Sequence, residues 1–330
     1  MRLAVGAVRR VDSRILRFAS QLGVRGLVIN TPLDLPGEER WELADLISLR
    51  ERVEAHGLIV EAVENVPIGF YRDAILGGPS CDQQIGNWLA TIENIGRAGI
   101  PIFGFHWMAN EVWRSELDRT GRGGARVTSF NLAEIPDADA PTFGRTYEES
   151  EIWENFQRFI HAVLPVAESA GVRLALHPDD PPVASIGGVG RPFRNFAGLR
   201  RAVEVADSPA FGLEFCIGTV SSMGPEALEQ LRWFAERGDI VYVHFRDVRG
   251  FAPSFVECFL GEGNVQVVEA MRVLHQSGFG GVIIDDHVPL LDGDPPITPG
   301  WVKSEYAYNG RAYGLGYLQG LLAGVVGSDR

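Results

Sequence analysis

The chain has 330 residues, 45% of them hydrophobic and 22% charged, proportions that belong to a globular protein with a full core and exclude a disordered chain or a very small stapled fold. Lys and Arg number 30 against 43 Asp and Glu, a formal charge of −13, which repels phosphate backbones and anionic lipid, so neither nucleic acid nor a membrane is expected as a partner. Three cysteines, Cys81, Cys216 and Cys258, cannot build a disulfide framework and fit a reducing, cytoplasmic compartment. The stretch RLAVGAVRRVDSR after Met1 holds an apolar run too short and too broken by charge for a signal sequence or a spanning helix, and the final GSDR carries no lipidation motif.

Eight short β-branched runs follow one another along the chain: LAVGAV (3–8), GLVIN (26–30), LIVEAVE (58–64), IPIFGFH (100–106), VRLALH (172–177), FGLEFC (211–216), IVYVHF (240–245) and GVIIDD (281–286). Between them lie amphipathic stretches with glycine stops, such as WELADLISLRERVEAHG ending in Gly57, NWLATIENIGRAG in Gly99, ENFQRFIHAVLPVAESAG in Gly171 and VVEAMRVLHQSG in Gly278. Eight near-continuous hydrophobic strands, each followed by a helix, predict an α/β fold, a (β/α)8 TIM barrel occupying 1–330 as one domain, with RAYGLGYLQGLLAGVV as its closing helix. Two connections exceed the usual two to six residues, 107–148 after the fourth strand and 287–310 after the eighth. Both leave the C-terminal ends of strands, where barrel active sites lie, and read as lids or subunit contacts. Trp107, Trp113 and Trp301 fall in them and are expected to wall a pocket or pack a dimer contact.

The polar residues at the strand ends are Glu64, His106, His177, Cys216, His244, Asp285, Asp286 and His287. In a barrel they converge on one mouth. Taken singly, a Cys ending a strand is ordinarily buried filler and a His a hydrogen-bonded structural residue. Taken together, His177, Cys216, His244 and Asp286, one from each of the last four strands, supply two imidazoles, a thiolate and a carboxylate, a complete set of metal donors. Mixed N, S and O donors suit Mn, Fe, Co or Zn and are poor for Mg or Ca. The Gly-rich GGVGRPF (187–193) follows the Pro-rich HPDDPP and opens no helix after a strand, which argues against a dinucleotide site. The basic stretch DRTGRGGAR (118–126) reads either as a solvated loop or as a lid that meets an anionic substrate. His56, His161 and His275 lie in helices and are expected to be structural or exposed, and Cys81 and Cys258 to be inert.

At these residues the chain resembles the mannonate dehydratase family, metal-dependent TIM-barrel lyases of hexuronate breakdown. The resemblance is carried by VEAVENVPI (60–68), LALHPDDPP (174–182), DSPAFGLEFCIGT (207–219), YVHFRDV (242–248), FVECFLGEGNVQVVEAMRVLHQSGFGG (255–281), DDH (285–287) and RAYGLGY (311–317). It implies His177, Cys216, His244 and Asp286 as metal ligands, the four that strand-end reasoning selects. It further implies Mn2+ as the usual ion, His287 and Tyr313 as the acid and base pair in either order, and Arg246 on the substrate carboxylate. Asp179, with Asp180, would bind sugar hydroxyls or orient the ligand imidazoles, or simply serve a Pro-fixed turn. FHWMANEVW (105–113) departs from the family pattern after the fourth strand, placing His106 where the family has Asn, so His106 is expected to face substrate. The implied reaction converts D-mannonate to 2-dehydro-3-deoxy-D-gluconate and water, in a homo-oligomer whose partner is a small sugar acid. A metal-dependent sugar isomerase or epimerase of the xylose-isomerase-like barrel type is the alternative, since an ion beside an acid and base pair also moves protons without loss of water. A non-catalytic sugar-acid binder would not need His287 and Tyr313.

Overall fold

The computed structural model describes residues 1–295 and 307–327. Fourteen strands occur among them: β1 (Arg2–Val8), β2 (Gly26–Asn30), β3 (Ile59–Glu64), β4 (Ile102–His106), β5 (Glu116–Thr120), β6 (Arg126–Asn131), β7 (Arg173–His177), β8 (Ser185–Ile186), β9 (Val189–Gly190), β10 (Phe211–Cys216), β11 (Ile240–Phe245), β12 (Asp247–Phe251), β13 (Ser254–Cys258) and β14 (Val282–Asp285). Eight of these close into a barrel in the order β1-β14-β11-β10-β7-β4-β3-β2, and every neighbouring pair is parallel. The eight barrel strands are the eight hydrophobic runs, with ends shifted by at most two residues. β4 begins after Pro101, whose ring leaves no N–H for the ladder while its carbonyl still accepts from Arg173 N at 2.9 Å.

The helices are α1 (Ser13–Gln21), α2 (Leu43–Glu54), α3 (Arg72–Leu76), α4 (Cys81–Arg97), α5 (Glu149–Ala170), α6 (Phe196–Ala206), α7 (Ile217–Met223), α8 (Ala227–Arg237), α9 (Val267–Gln276) and α10 (Tyr308–Gly327). α1 starts where Asp12 Oδ1 accepts from the backbone N–H groups of Arg14 and Ile15. α5 stops at Gly171, whose φ of 67° a side chain would disfavour. Helices and strands bury an aromatic-rich shell between them, including Trp88, Phe103, Phe105, Phe156 and Phe159. Inside the barrel the filling is small: Ala4, Val28, Ala62, Ala175, Val282 and Ile284 pack with Tyr242, and polar side chains stand above them. Among the described residues no helix is long and apolar enough to cross a membrane.

The structure corrects the reading of the connections. Residues 107–148 contain the β5–β6 hairpin, and the segment after β11 contains a second hairpin, β12–β13. β6 pairs antiparallel with β13, Asn131 opposite Ser254 and Ser129 opposite Val256, giving a four-stranded sheet in the order β12-β13-β6-β5. The β7–α6 connection, 178–195, is also long and carries the small β8–β9 ribbon. Extended connections with strands of their own therefore follow β4, β7 and β11, all at the same end of the barrel. Trp107 does not line the chamber described below: it is buried against Phe156 and Phe159, and its Nε1 donates to the Ile152 carbonyl at 3.2 Å. Trp113 does face the chamber described below, and Trp301 lies outside the described residues.

Candidate active site

Parallel register sets the site residues side by side. His106 is the Cα partner of His177, and Cys216 of His244. The donor atoms of His177, Cys216 and His244 all lie within 4.8 Å of one another. Asp286, one residue past β14, brings Oδ2 to 3.5 Å from His244 Nδ1 and 4.0 Å from Cys216 Sγ. Three of the four expected donors thus form one cluster, and Asp286 adjoins two of them.

Hydrogen bonds decide which atoms they offer. His177 Nδ1 lies 2.6 Å from the Pro178 carbonyl; a carbonyl only accepts, so Nδ1 carries a hydrogen and Nε2 is the nitrogen left to face Cys216. His244 Nε2 lies 3.1 Å from Glu64 Oε2, while its buried Nδ1 has no hydrogen-bond partner among the described residues. Burial opposes ionisation of the Cys216 thiol, yet the Arg246 guanidinium and the two imidazoles hold it well below the usual thiol range. Burial opposes Asp286 likewise, and His287, His244 and Arg246 keep it ionised. A thiolate, a carboxylate and two imidazole nitrogens, one of them an orphaned buried atom, form a donor set that fits a borderline divalent ion. Burial would lower His177, but the hydrogen bond to Cys216 and the charge of Glu214 outweigh it, to about 9, so a cation entering here displaces protons.

The cluster opens on a chamber of about 710 Å³ whose wall includes His106, Arg114, His177, Asp180, His244 and His287. His106 Nδ1 accepts from the Met108 backbone N–H at 3.2 Å, which leaves its proton on Nε2. Burial, with His177 and Arg191, pushes it down to about 3, so this side chain is a neutral donor. His287 brings Nδ1 to 3.1 Å from Glu257 Oε1 and Nε2 to 3.7 Å from Asp286 Oδ1. Its backbone is held at a φ of 40°, unusual for a non-glycine residue.

Arg246 stands one layer behind this wall. Its Nε donates to Cys216 Sγ at 3.1 Å, Nη1 to Glu257 at 2.5 Å, and Nη2 to Asp180 at 2.6 Å and Thr219 at 2.7 Å. Arg114, from the segment between β4 and β5, donates to both Asp180 oxygens at 2.8 Å and to Glu257 at 2.9 Å. Two guanidinium groups and two carboxylates therefore alternate around a buried ring. Arg114 and Glu257 were not singled out as site residues from the sequence. Arg114 lies in a stretch with no periodic pattern, and its partners are 66 and 143 residues away.

Asp179 and Asp180 are separated by the turn. Asp180 faces the chamber, whereas Asp179 Oδ2 accepts from Phe193 N at 2.6 Å and burial pushes its carboxyl up to about 6. Tyr313 is 37% exposed and packs edge-on against Phe259. It shares with Arg246, Asp286 and His287 a recess of about 10 Å³ next to the chamber. The basic 118–126 stretch forms the β5–β6 turn, where Arg122 lies over the Phe259 ring and pairs with Glu262, and Arg126 reaches the chamber wall.

The chain is 29% identical to mannonate dehydratase 2 of Halalkalibacterium halodurans, over 98% of this chain and 99% of that one. It is also 29% identical to the mannonate dehydratase of Streptococcus equi subsp. zooepidemicus, over 91% and 87%. The crystal structure of mannonate dehydratase from Streptococcus suis serotype 2 superimposes with a TM-score of 0.88 at 27% identity, covering all of this chain and 96% of that one. D-psicose 3-epimerase from Clostridium cellulolyticum H10, with a TM-score of 0.63 and 13% identity over 98% and 99% of the two chains, shares the barrel alone. The family model described as D-mannonate dehydratase (UxuA) matches residues 1–149 and 142–328, and the chain belongs to that family.

Proposed function

We propose that the chain is a hydro-lyase that removes water from a sugar acid, with D-mannonate as substrate and 2-dehydro-3-deoxy-D-gluconate as product. The observation that carries this reading is the cluster of His177, Cys216 and His244, with Asp286 beside it, at a chamber whose wall also holds His287. These four residues would hold the divalent ion. Mn2+ is the ion the resemblance implies, and Fe2+, Co2+ and Zn2+ suit the same donors. When bound, such an ion supplies Lewis acidity for the charge that develops when a proton leaves the carbon next to a carboxylate.

The protein's own groups supply the rest. His287 donates its Nδ1 hydrogen to Glu257 and so has Nε2 for proton exchange with the substrate. Glu257, held by Arg114 and Arg246, keeps that tautomer and offsets the charge of the imidazolium. Tyr313, across the small recess from His287, is the second member of the pair. One member takes the proton α to the carboxylate and the other gives a proton to the departing β-hydroxyl, so that water leaves and the resulting enol becomes the 2-keto acid. His106, neutral with its hydrogen on Nε2, donates to a substrate hydroxyl from the wall. Arg246 and Arg114 both have donors on Asp180 and Glu257, and in this reading Arg246, which the resemblance implies for the role, meets the substrate carboxylate. Asp179 shapes the turn that presents Asp180. A cytoplasmic homo-oligomer serving hexuronate breakdown is the setting that goes with this function.

The test is mass spectrometry of the product after Mn2+-loaded protein is incubated with D-mannonate and a small panel of other aldonates and uronates. A product lighter by one water is expected from D-mannonate. A product of unchanged mass would overturn dehydration in favour of isomerisation or epimerisation. Water loss from a different acid alone would move the substrate assignment and trace it to His106 and its neighbours.

A further inference from the structure

Under the strand-end residues lies a polar layer that the reaction above does not use. Glu64 ends β3, Glu214 stands two residues before Cys216 on β10, and Tyr242 two before His244 on β11; all three are buried. Gly104 on β4 leaves room for them. A Cβ at that position would lie 2.3 Å from the Tyr242 hydroxyl and 2.7 Å from Glu214 Oε2.

The two carboxylates are not equivalent. Glu64 Oε1 accepts from Asn30 Nδ2 at 2.8 Å, and Oε2 accepts from the Tyr242 hydroxyl at 2.6 Å and faces His244 Nε2 at 3.1 Å. Glu214 Oε1 is nearer to that nitrogen, at 2.9 Å, but neither Glu214 oxygen makes a hydrogen bond among the described residues. A neutral imidazole has one hydrogen, and an anchored carboxylate facing Nε2 demands it there, because a lone pair at Nε2 would confront the Glu64 oxygen. Nδ1 then faces Cys216, His177 and Asp286; it is buried, makes no hydrogen bond among the described residues, and has Asp286 Oδ2 at 3.5 Å.

We propose that Glu64, fixed by Asn30 and Tyr242, is the positioning residue of the metal centre: it holds the His244 hydrogen on Nε2, presents Nδ1 to the ion and raises the basicity of the imidazole. The inference rests on the metal site of the proposed function. A carboxylate behind a ligating histidine contributes 10- to 100-fold to metal affinity in general, about the range expected here.

The experiment uses the full chain stripped of metal by chelator dialysis, titrated with Mn2+ against a chromophoric chelator and with Co2+ followed by its thiolate charge-transfer and d–d absorption. Glu64→Gln keeps the shape and removes the charge. It is expected to weaken Mn2+ binding about 10- to 100-fold and to shift the Co2+ spectrum, while the melting temperature of the metal-free chain stays close to the unsubstituted value. Glu214→Gln is expected to leave Mn2+ affinity within about threefold, and Tyr242→Phe, which removes one anchor of Glu64, to fall between the two. The Co2+ spectrum separates positioning from a general loss of structure. Mn2+ affinity unchanged in Glu64→Gln, or weakened equally in Glu214→Gln, would overturn the role of Glu64. Should Glu64→Gln not fold, unchanged affinity and spectrum in Tyr242→Phe would overturn it instead. Failure of the unsubstituted chain to bind Mn2+ or Co2+ would overturn the metal site itself, an outcome read before any variant is made.

Discussion

Replacing Arg114 by Met breaks a closed ring of buried charge. Arg114 pairs with Asp180 at 2.8 Å and Glu257 at 2.9 Å, Arg246 pairs with the same two carboxylates at 2.6 and 2.5 Å, and all four side chains are at most 2% exposed. The ring is neutral. Without Arg114 it holds two carboxylates and one guanidinium, and stranding one partner of a buried ion pair costs about 3–5 kcal/mol. The Glu257 carboxyl shows the same attraction. Burial would raise its carboxyl, but Arg246, His287 and Arg114 together hold it at about 2 against an ordinary 4.5, which is roughly 3 kcal/mol of favourable interaction at about 1.4 kcal/mol per unit. Arg114 supplies a part of that, and it holds Asp180 in a two-pronged pair whose carboxyl is pushed lower still. The assay is denaturant unfolding of the metal-free chain at pH 7.5, with Arg114→Lys beside Arg114→Met. Lysine keeps the charge without the planar fork and should lose an intermediate amount. Both carboxyls are depressed in the folded chain, so the stability they contribute is complete above their unfolded values near 4 and is lost as pH falls toward 2. The gap between wild type and Arg114→Met should therefore narrow on acidification below about pH 4.5. A loss under about 1 kcal/mol at pH 7.5, or a gap that stays constant on acidification, would refute the ring as a unit.

Three further outcomes are expected. His287→Asn should abolish turnover and leave metal content, read by atomic emission, near wild type; metal lost together with turnover would make His287 a ligand or a structural residue. Tyr313→Phe should lower kcat about 10²-fold or more while shifting stability by less than about 0.5 kcal/mol, because the ring is partly exposed and its packing on Phe259 is retained; an unchanged kcat would remove Tyr313 from the chemistry. His106 stays neutral in the folded chain down to about 3, whereas an unfolded histidine takes its proton near 6.5, so stability present above about 6.5 is lost as pH falls toward 3. At pH 5.5 that loss is about 1.4 kcal/mol, and His106→Asn should lack it when unfolding is compared at pH 7.5 and 5.5; equal pH dependence in both proteins would place His106 in contact with water.

The barrel was legible because its strands are buried on both faces and so read as unbroken apolar runs, of which GLVIN, FGLEFC and IVYVHF match strands residue for residue. The strand-end cluster was legible because closure of a barrel brings strand ends together whatever lies between them: His177 and Asp286 are 109 positions apart, yet both reach His244. What pattern alone could not reach was set by contacts inside the connections. RVTSFN and SFVEC are short, and only their pairing with each other makes them one sheet. Asp179 and Asp180 are adjacent in sequence, and the backbone of the turn decides which one faces the chamber. Glu214 sits within a strand that reads as apolar, so its burial beside His244 left no mark on the hydrophobic pattern. Arg246 carries a motif position, but its role depends on where its donors go, and those acceptors come from four other elements or connections.

The sheet that joins β6 to β13 also orders events in the life of the chain. During synthesis β4 and β7 can pair once residue 177 is made, but Arg114 gains its second carboxylate, and β6 its partner strand, only when residues 254–257 have followed. A fragment ending before β13 would therefore carry His177, Cys216 and His244 without the β6 to β13 pairing or the Glu257 carboxylate. The same pairing sets where the chain tolerates changes in length. Extra residues at the Arg122–Gly124 turn leave the β6 to β13 register intact, whereas an insertion between Arg114 and β5 would slide the guanidinium away from both of its carboxylates.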